Sequence, residues 1–210
     1  MSYGYVGDTS TSIKQQVKNA GVLSVSDVLD LESKGQLGGS LELIEEQTYS
    51  TGVNNIDFLN IKETKYNVHL MQIYNLTTPV ESGTDFIRFY ESGVLESASV
   101  YQYASQPGDF FGNFSETKST GNTGILLGST GSSVKKSAYI YFYNLGNSST
   151  YSFCTFHLTN VRSGNDNMRF GGGVLPQASV VDGIRFAYTG ASTISNFTIK
   201  LYGVKQIWVT

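Results

Sequence analysis

The sequence predicts an all-β protein, a jelly-roll-like antiparallel β-sandwich of about ten strands preceded by a short N-terminal arm that contains one small helix. Two observations predict this class. Apolar and polar residues alternate in short segments along almost the whole chain, as they do in half-buried strands. Turn residues separate these segments at intervals of roughly 8 to 15 residues without intervening helices, which is typical of a sandwich or barrel.

The N-terminal arm, residues 1–40, carries the helix signal. Residues 1–22 show no clear periodicity and are predicted to be irregular, whereas 24–34 predict a short helix with Ser24 as its N-cap and Gly35 as its stop. A helix this short is not stable alone, so its apolar side is expected to dock on the β-domain or on another subunit. The candidate docking residues are Leu23, Val25, Val28 and Leu29.

The remaining chain, 41–210, is predicted to form the β-body. Its last strand shows the pattern clearly, since Phe197, Ile199 and Leu201 alternate with polar residues and are expected to line the core. About ten strands with long crossings fit a jelly roll better than an immunoglobulin sandwich. The predicted strands span 41–49, 54–61, 66–76, 85–91, 97–104, 124–128, 138–144, 151–160, 181–189 and 194–203.

Two segments interrupt this rhythm. Residues 105–122 are predicted to form a long loop or a weak hairpin that carries Phe110, Phe111 and Phe114. Residues 162–176 contain three consecutive glycines and are predicted to form a second long loop. Long loops in compact domains usually have a function, so both segments are candidates for one.

The composition disfavours some partners and favours others. Only 15% of the 210 residues are charged and the net charge is −3, without a basic stripe, so nucleic acid is not an expected partner. The chain has 14 Tyr and 12 Phe, which fits a subunit whose surfaces are covered by neighbours. The same aromatic content fits an ordinary β-sandwich core equally well.

No targeting segment is evident in the sequence. Residues 1–12 are polar and lack the apolar stretch of a signal peptide. No apolar run approaches the ~18 residues that a membrane-spanning helix needs. We therefore expect synthesis in a cytoplasm and no membrane insertion.

Residues that could hold a metal or act as a nucleophile are few. Cys154 alternates with Phe153 and Thr155 in a predicted strand, so it is expected to pack in the core. His157 then lies on the opposite face of that strand, away from the thiol. Because His69 and His157 are both inside predicted strands, we expect no metal site and no cofactor.

Acid–base catalysis has no evident pair of residues in the sequence. Glu45 and Glu46 are adjacent in a strand, so they face opposite sides and cannot share a site. The Asn-Asp-Asn run at 165–167 offers oxygen ligands but lacks the spacing of a calcium loop. A polysaccharide depolymerase needs paired carboxylates at a cleft, which the sequence does not place. We expect no enzymatic activity.

Aromatic residues are the main candidates for binding. Tyr139, Tyr141 and Tyr143 share one face of a predicted strand, where they could be core, a subunit interface or a platform for sugar rings. Trp208 is expected to contact the last strand or a neighbouring subunit. The candidates for a subunit interface or a glycan contact are Tyr139, Tyr141, Tyr143, Phe110, Phe111, Phe114 and Trp208.

Three longer segments are informative when they are taken together. They are GVLSVSDVLDLESKGQLGGSLELIEEQT (21–48), DFIRFYESGVLESASVYQYA (85–104) and GIRFAYTGASTISNFTIKLYGVK (183–205). The last contains an Ile-Arg-Phe strand, a Gly/Ser turn and a strand that ends in Leu-Tyr-Gly. Together the segments resemble virion structural proteins of tailed bacteriophages, particularly marine and cyanobacterial phages, and the resemblance spans most of the chain.

The resemblance implies a structural role in a phage particle, with no catalytic residues to carry over. Residues 1–40 would anchor the chain on the particle, and 41–210 would form an oligomeric body, expected to be a homotrimer. The expected function is that of a tail-fibre or appendage subunit, with a capsid decoration protein or a host-glycan receptor-binding module as alternatives. The expected partners are further copies of the chain, other tail or capsid proteins and, for the last alternative, a host surface glycan. The expected location is the virion.

Overall fold

The protein is all-β, with 68% of its described residues in strands and almost no helix among them, which confirms the predicted fold class. Its contacts divide it into two units, Met1–Ser40 with Gln206–Thr210, and Leu41–Lys205, which we call the body. For residues 4–6, 19–23, 129–130, 162 and 165–167 the backbone alone is described. The computed structural model describes residues 4–6, 19–23, 26, 28–29, 39–78, 83–109, 111–130, 135–162 and 165–205.

The first unit contains a pair of short strands. β1 (Gly4–Val6) pairs in parallel with β2 (Asn19–Leu23). The expectation of irregular structure over 1–22 is therefore wrong at these positions. Periodicity gave no signal here, because strands of three and five residues are too short to show alternation.

The predicted docking helix, 24–34, is described only in part. Val28 and Leu29 are helical, and Val28 is half-buried whereas Leu29 is exposed. The backbone of Leu23 belongs to β2, and Val25 lies outside the described residues. Of the four docking candidates, Val28 and Leu29 therefore have described side chains.

The described residues of the body form thirteen strands, and every predicted strand overlaps one of them. The largest shift affects the segment predicted at 97–104, whose strand begins at Tyr101 and continues to Asp109. In chain order the strands are β3 (Leu41–Tyr49), β4 (Asn55–Phe58), β5 (Val68–Thr77), β6 (Gly83–Glu91), β7 (Val94–Leu95), β8 (Tyr101–Asp109), β9 (Thr117–Asn122), β10 (Ile125–Thr130), β11 (Lys135–Tyr143), β12 (Tyr151–Arg162), β13 (Asn165–Ala178), β14 (Val181–Tyr188) and β15 (Phe197–Val204).

These strands form two antiparallel sheets. The larger sheet has eight strands in the order β3-β15-β5-β11-β12-β13-β8-β9. The smaller has five, in the order β10-β6-β14-β4 with β7 beside β6. The chain passes repeatedly from one sheet to the other, which is the crossing pattern of a jelly roll. The first strand of the body pairs with the last, and Leu41 lies opposite Val204.

The inner faces of the two sheets form the core. Phe89 of the smaller sheet contacts Phe142 and Tyr101 of the larger, with ring centroids 6.0 and 6.1 Å away. The backbone N–H of Phe89 also donates to the phenol oxygen of Tyr101 at 2.9 Å. As predicted, the last strand lines this core with the buried side chains of Phe197, Ile199 and Leu201.

The glycine-rich segment 162–176 is predicted to be a loop, and this prediction is wrong for its described residues, 162 and 165–176, which lie in strands. Most of it belongs to β13, a strand of 14 residues between β12 and β8 in the larger sheet. A Cβ atom at Gly171 would lie 2.5 Å from the carbonyl oxygen of Ala104. One at Gly173 would lie 2.5 Å from Cγ2 of Ile125, on the other sheet. The glycines therefore permit close packing within and between the sheets.

The Phe-rich segment 105–122 forms a hairpin, which is one of the two predicted alternatives. β8 pairs antiparallel with β9, and Tyr103 lies opposite Ser119. β9 is the edge strand of the larger sheet, and its residues are exposed or half-buried on both faces. A strand of this kind lacks the apolar alternation by which the other strands are recognised.

An ion pair on the outer face of the smaller sheet links β4 to β14. Arg185 donates to the two carboxylate oxygens of Asp57 at 2.6 and 2.7 Å and to the hydroxyl of Tyr90 at 2.7 Å. Partial burial raises the pKa of Asp57, but the hydrogen bonds from Arg185 and Tyr90 outweigh it and hold the pKa below its usual value. Because Asp57 and Arg185 are also Cα partners, the pair supports the register of the edge strand β4.

Replacing Gly171 by Ala is expected to lower the free energy of unfolding by about 1–3 kcal/mol, because the methyl group would overlap the Ala104 backbone. Gly128→Ala is the matched control, since a Cβ atom at that strand glycine has its nearest neighbours at 4.0 Å. Urea unfolding followed by circular dichroism measures both variants. Equal stabilities would contradict the close-packing role of Gly171.

Replacing Asp57 by Asn is expected to lower the free energy of unfolding by about 1 kcal/mol at neutral pH, because a partly exposed bidentate ion pair is lost. Since folding lowers the pKa of Asp57, its contribution is present above the ordinary carboxyl pKa of about 4 and is lost as the pH falls through the folded value. Unfolding curves from neutral to acidic pH should therefore show parent and variant converging below about pH 4. A constant difference over that range would show that the carboxylate does not act through its charge.

Candidate binding site

The tyrosine stripe lies on the outer face of the larger sheet. In β11, Tyr139, Tyr141 and Tyr143 alternate with the buried Ile140 and Phe142. Ring centroids are 6.1 Å apart for Tyr139 and Tyr141, and 6.5 Å apart for Tyr141 and Tyr143. The stripe is therefore not part of the core, which leaves a subunit interface and a ligand platform as its possible roles.

Strand pairing surrounds Tyr139 with polar and aromatic groups. Gln72 of β5 is its Cα partner on one side and His157 of β12 is its partner on the other. The His157 ring packs edge-on against Tyr139, with 5.5 Å between centroids. Tyr74, the next outward residue of β5, donates its hydroxyl hydrogen to the Gln72 side chain. Three adjacent strands thus bring rings and an amide group together.

Three adjoining hollows lie along this region, and we call them together the outer cleft. The side hollow, of about 230 Å³, includes Asn75 and shares Tyr74 with the central one. The end pocket, of about 470 Å³, shares Ser137 and Thr159 with the central hollow. The central hollow, of about 350 Å³, is lined by Gln72, Tyr74, Ser137, Tyr139, His157 and Thr159.

The end pocket lies where β11 begins and β12 ends. Its wall combines the apolar side chains of Val161 and Met168 with polar ones, among them the buried Lys136. The Lys136 ammonium group donates to the carboxylate of Asp85, which lies on β6 of the opposite sheet. Complete burial raises the pKa of Asp85, against the attraction of Lys136 and Arg169. This ion pair therefore joins the two sheets at the wall of the pocket.

The β8–β9 hairpin borders the end pocket. Gly108 and Asp109 line the pocket, and a Cβ atom at Gly108 would lie 2.7 Å from the ring of Phe114. Hydrogen bonds from the side chain and backbone of Asn113 and from the backbone of Phe111 lower the pKa of the Asp109 carboxyl group. Phe111 and Phe114 are 69% and 56% exposed. The fold thus brings the Phe-rich segment close to the end pocket.

The outer cleft carries little fixed charge. The described residues that line the central and side hollows have aromatic, hydroxyl, amide and aliphatic groups, and include no Asp, Glu, Lys or Arg. In the end pocket Lys135 is balanced by Asp109, and Lys136 is paired with Asp85. Such a surface can pack rings against apolar faces and exchange hydrogen bonds with neutral polar groups.

The remaining candidates from the sequence lie outside the cleft. Cys154 is a buried core residue, as predicted, and burial raises the pKa of its thiol to about 12. His69 is buried and donates from Nε2 to the carbonyl oxygen of Ile61 at 2.8 Å, while its burial lowers its pKa. Phe110 and Trp208 lie outside the described residues.

The buried ion pair was not predicted from the sequence, although part of its signal was present. Lys136 occupies the inward phase of β11 with Ile140, and Asp85 occupies the inward phase of β6 with Ile87. A charged residue at such a position needs a partner when it is buried. The identity of the partner was not readable, because 51 positions separate the two residues.

Comparison with known proteins assigns the chain to no family. No protein-family model and no curated protein sequence matches it. Among the described residues, no group of three or more His, Cys, Asp or Glu side chains is placed to hold a metal ion. The same part of the chain contains no helix that is long and apolar enough to cross a membrane.

Replacing Lys136 by Met is expected to lower the free energy of unfolding at neutral pH by about 3–5 kcal/mol, because Asp85 would stay buried without its partner. The loss should shrink as the pH falls, since an unpaired buried carboxyl group has a raised pKa and the folded variant would bind a proton that the unfolded chain does not. Urea unfolding at neutral and acidic pH measures both effects.

The matched control is the double variant Asp85→Asn with Lys136→Met, which removes both charges. It should recover part of the lost stability, because no unpaired charge remains buried. A Lys136→Met protein as stable as the parent would contradict the structural role of the pair.

Proposed function

We propose that the chain is a non-catalytic structural subunit of a tailed-phage particle, attached as a tail-fibre or appendage subunit and assembled as an oligomer, a trimer being the expected state. The observation that carries this proposal is a β-sandwich body with an exposed aromatic face and little charge. Exposed apolar faces of this kind are typical of proteins that bind another surface. The anchoring role of residues 1–40 is part of the proposal.

The segments that resemble phage virion proteins include central parts of the sandwich. Residues 85–104 contain most of β6 and the start of β8, whereas 183–205 contain most of β14 and all of β15. β6 and β14 pair in the smaller sheet, where Ile87 lies opposite Phe186. The resemblance thus concerns residues that build the fold, which supports a common architecture and a structural role.

The groups with the greatest potential for chemistry are engaged in stabilising contacts. The Cys154 thiol is buried in the core with a raised pKa. Asp85 pairs with Lys136, and Asp57 forms a bidentate pair with Arg185. These contacts support a non-catalytic role, because each group is held by the fold and its charge or reactivity is offset.

A host-glycan receptor-binding module is the second candidate, and the outer cleft favours it. Rings, hydroxyl groups and amide groups line its central hollow, which suits recognition of sugars better than recognition of charged partners. The two functions are compatible, because an appendage subunit can also contact the host. A capsid decoration protein is the alternative position for a structural subunit.

Immunogold labelling of purified virions with antibody against the body tests the proposed role. Label is expected on the tail or its appendages, whereas label on the capsid would support the decoration alternative. Intact particles without label at either position would overturn the virion proposal. Sedimentation equilibrium of the purified chain provides the control for assembly, and a stable monomer at micromolar concentration would contradict the expected oligomer.

A further inference from the structure

We propose that the outer cleft binds a neutral oligosaccharide, with sugar rings packed on Tyr139 and Tyr74 and sugar hydroxyl groups bound by the surrounding amide and hydroxyl side chains. The inference rests on the glycan-binding candidate and specifies its site and its ligand class. It does not depend on whether the chain belongs to a virion.

The tyrosine rings of the outer cleft are exposed and lie close to one another. Tyr139 is 46% exposed and lines the central hollow together with Tyr74 and His157. Tyr141 and Tyr143 continue the row along β11 at centroid distances of 6.1 and 6.5 Å. An aromatic face attracts the C–H groups on the apolar side of a sugar ring, so the exposed ring of Tyr139 offers such a contact at the central hollow.

The polar groups beside these rings are amide and hydroxyl groups. Gln72, Ser137 and Thr159 line the central hollow, and Asn75 and Asn196 line the side hollow. Amide and hydroxyl side chains can both donate and accept hydrogen bonds, as sugar hydroxyl groups do. A ligand with many hydroxyl groups and no charge is therefore matched in the central and side hollows.

The charges of the residues that line the outer cleft are balanced, which favours a neutral ligand over an anionic one. The central and side hollows contain no Asp, Glu, Lys or Arg among their described residues. In the end pocket the Lys135 charge is opposed by Asp109, whose carboxyl pKa is lowered, so this group is ionised at neutral pH. Lys136 is already paired with Asp85. An acidic sugar would find no net attraction here.

The hollows of the outer cleft are large enough for a ligand. The end pocket of about 470 Å³ and the central hollow of about 350 Å³ both fall in the range of roughly 300–1,000 Å³ that is usual for ligand sites. Since the end pocket and the central hollow share Ser137 and Thr159, they adjoin one another on β11 and β12. Together they offer room for several sugar units, with one end of the oligosaccharide in the pocket beside the β8–β9 hairpin.

Binding of the purified full chain to immobilised oligosaccharides tests the proposal. The probes are neutral oligomers of glucose, mannose and galactose, together with a matched set that contains uronic acid. Tyr139→Ala is the test variant. Tyr151→Ala is its control, because Tyr151 lies on the same sheet face and is 47% exposed but does not line any of the three hollows. Thermal unfolding of both variants verifies that they are folded.

The parent is expected to bind at least one neutral oligomer in preference to the uronic-acid set. Tyr139→Ala should lose about tenfold or more in affinity, whereas Tyr151→Ala should bind within about twofold of the parent. Equal losses in the two variants, preference for uronic acid, or no binding to any neutral probe at millimolar concentration would overturn the proposal. A parent oligomer that Tyr139→Ala dissociates would also overturn it, because the face would then be a protein interface.

These outcomes are distinguishable from failure of the virion proposal. Unlabelled virions together with selective sugar binding would retain the oligosaccharide site and reject the particle role. Labelled virions together with no sugar binding would do the reverse.

Discussion

The contact of Phe89 with Phe142 and Tyr101 determines which side of the larger sheet is buried, and the surface chemistry depends on it. Tyr101 can occupy the core because its hydroxyl accepts from the Phe89 backbone and donates to the Glu96 carbonyl oxygen at 3.2 Å. Its burial raises the pKa of the phenol well above the ordinary value. Because side chains alternate along a strand, an inward Phe142 requires an outward Tyr139. The same packing therefore creates both the core and the aromatic face.

The core becomes polar toward one end of the sandwich, and the end pocket lies there. Lys136 continues the inward row of Ile140, but it brings a charge that Asp85 of the facing sheet satisfies. Well-packed apolar side chains often stabilise such a position as much as a buried ion pair does. What the ion pair adds is specificity, since any other alignment of the two sheets would leave two buried charges unpaired. The pocket thus has a wall whose position is set by electrostatics as well as by packing.

The predictable part of the molecule is the part where one face of a strand is apolar. Phe197, Ile199 and Leu201 revealed β15 and its inward face, and the same logic located every strand with a clear alternating pattern. β13 escaped because its glycines are needed for contacts with distant residues, which no local pattern shows. The sequence predicted that the three tyrosines share one face of β11. Whether that face is buried or exposed depends on which side of the strand the second sheet covers. The cleft was not predictable, because Gln72, Tyr139 and His157 meet only through strand pairing.

The pairing of β3 with β15 has a consequence for how the body can be combined with other structures. Leu41 and Val204 are Cα partners in antiparallel strands, where such atoms lie only about 5 Å apart. The chain therefore enters and leaves the sandwich at a single corner. A domain with this property can be carried as an insertion in a surface turn of another protein, without forcing apart the segments that flank it. The body can therefore be inserted as one unit, which includes both its core and its outer cleft.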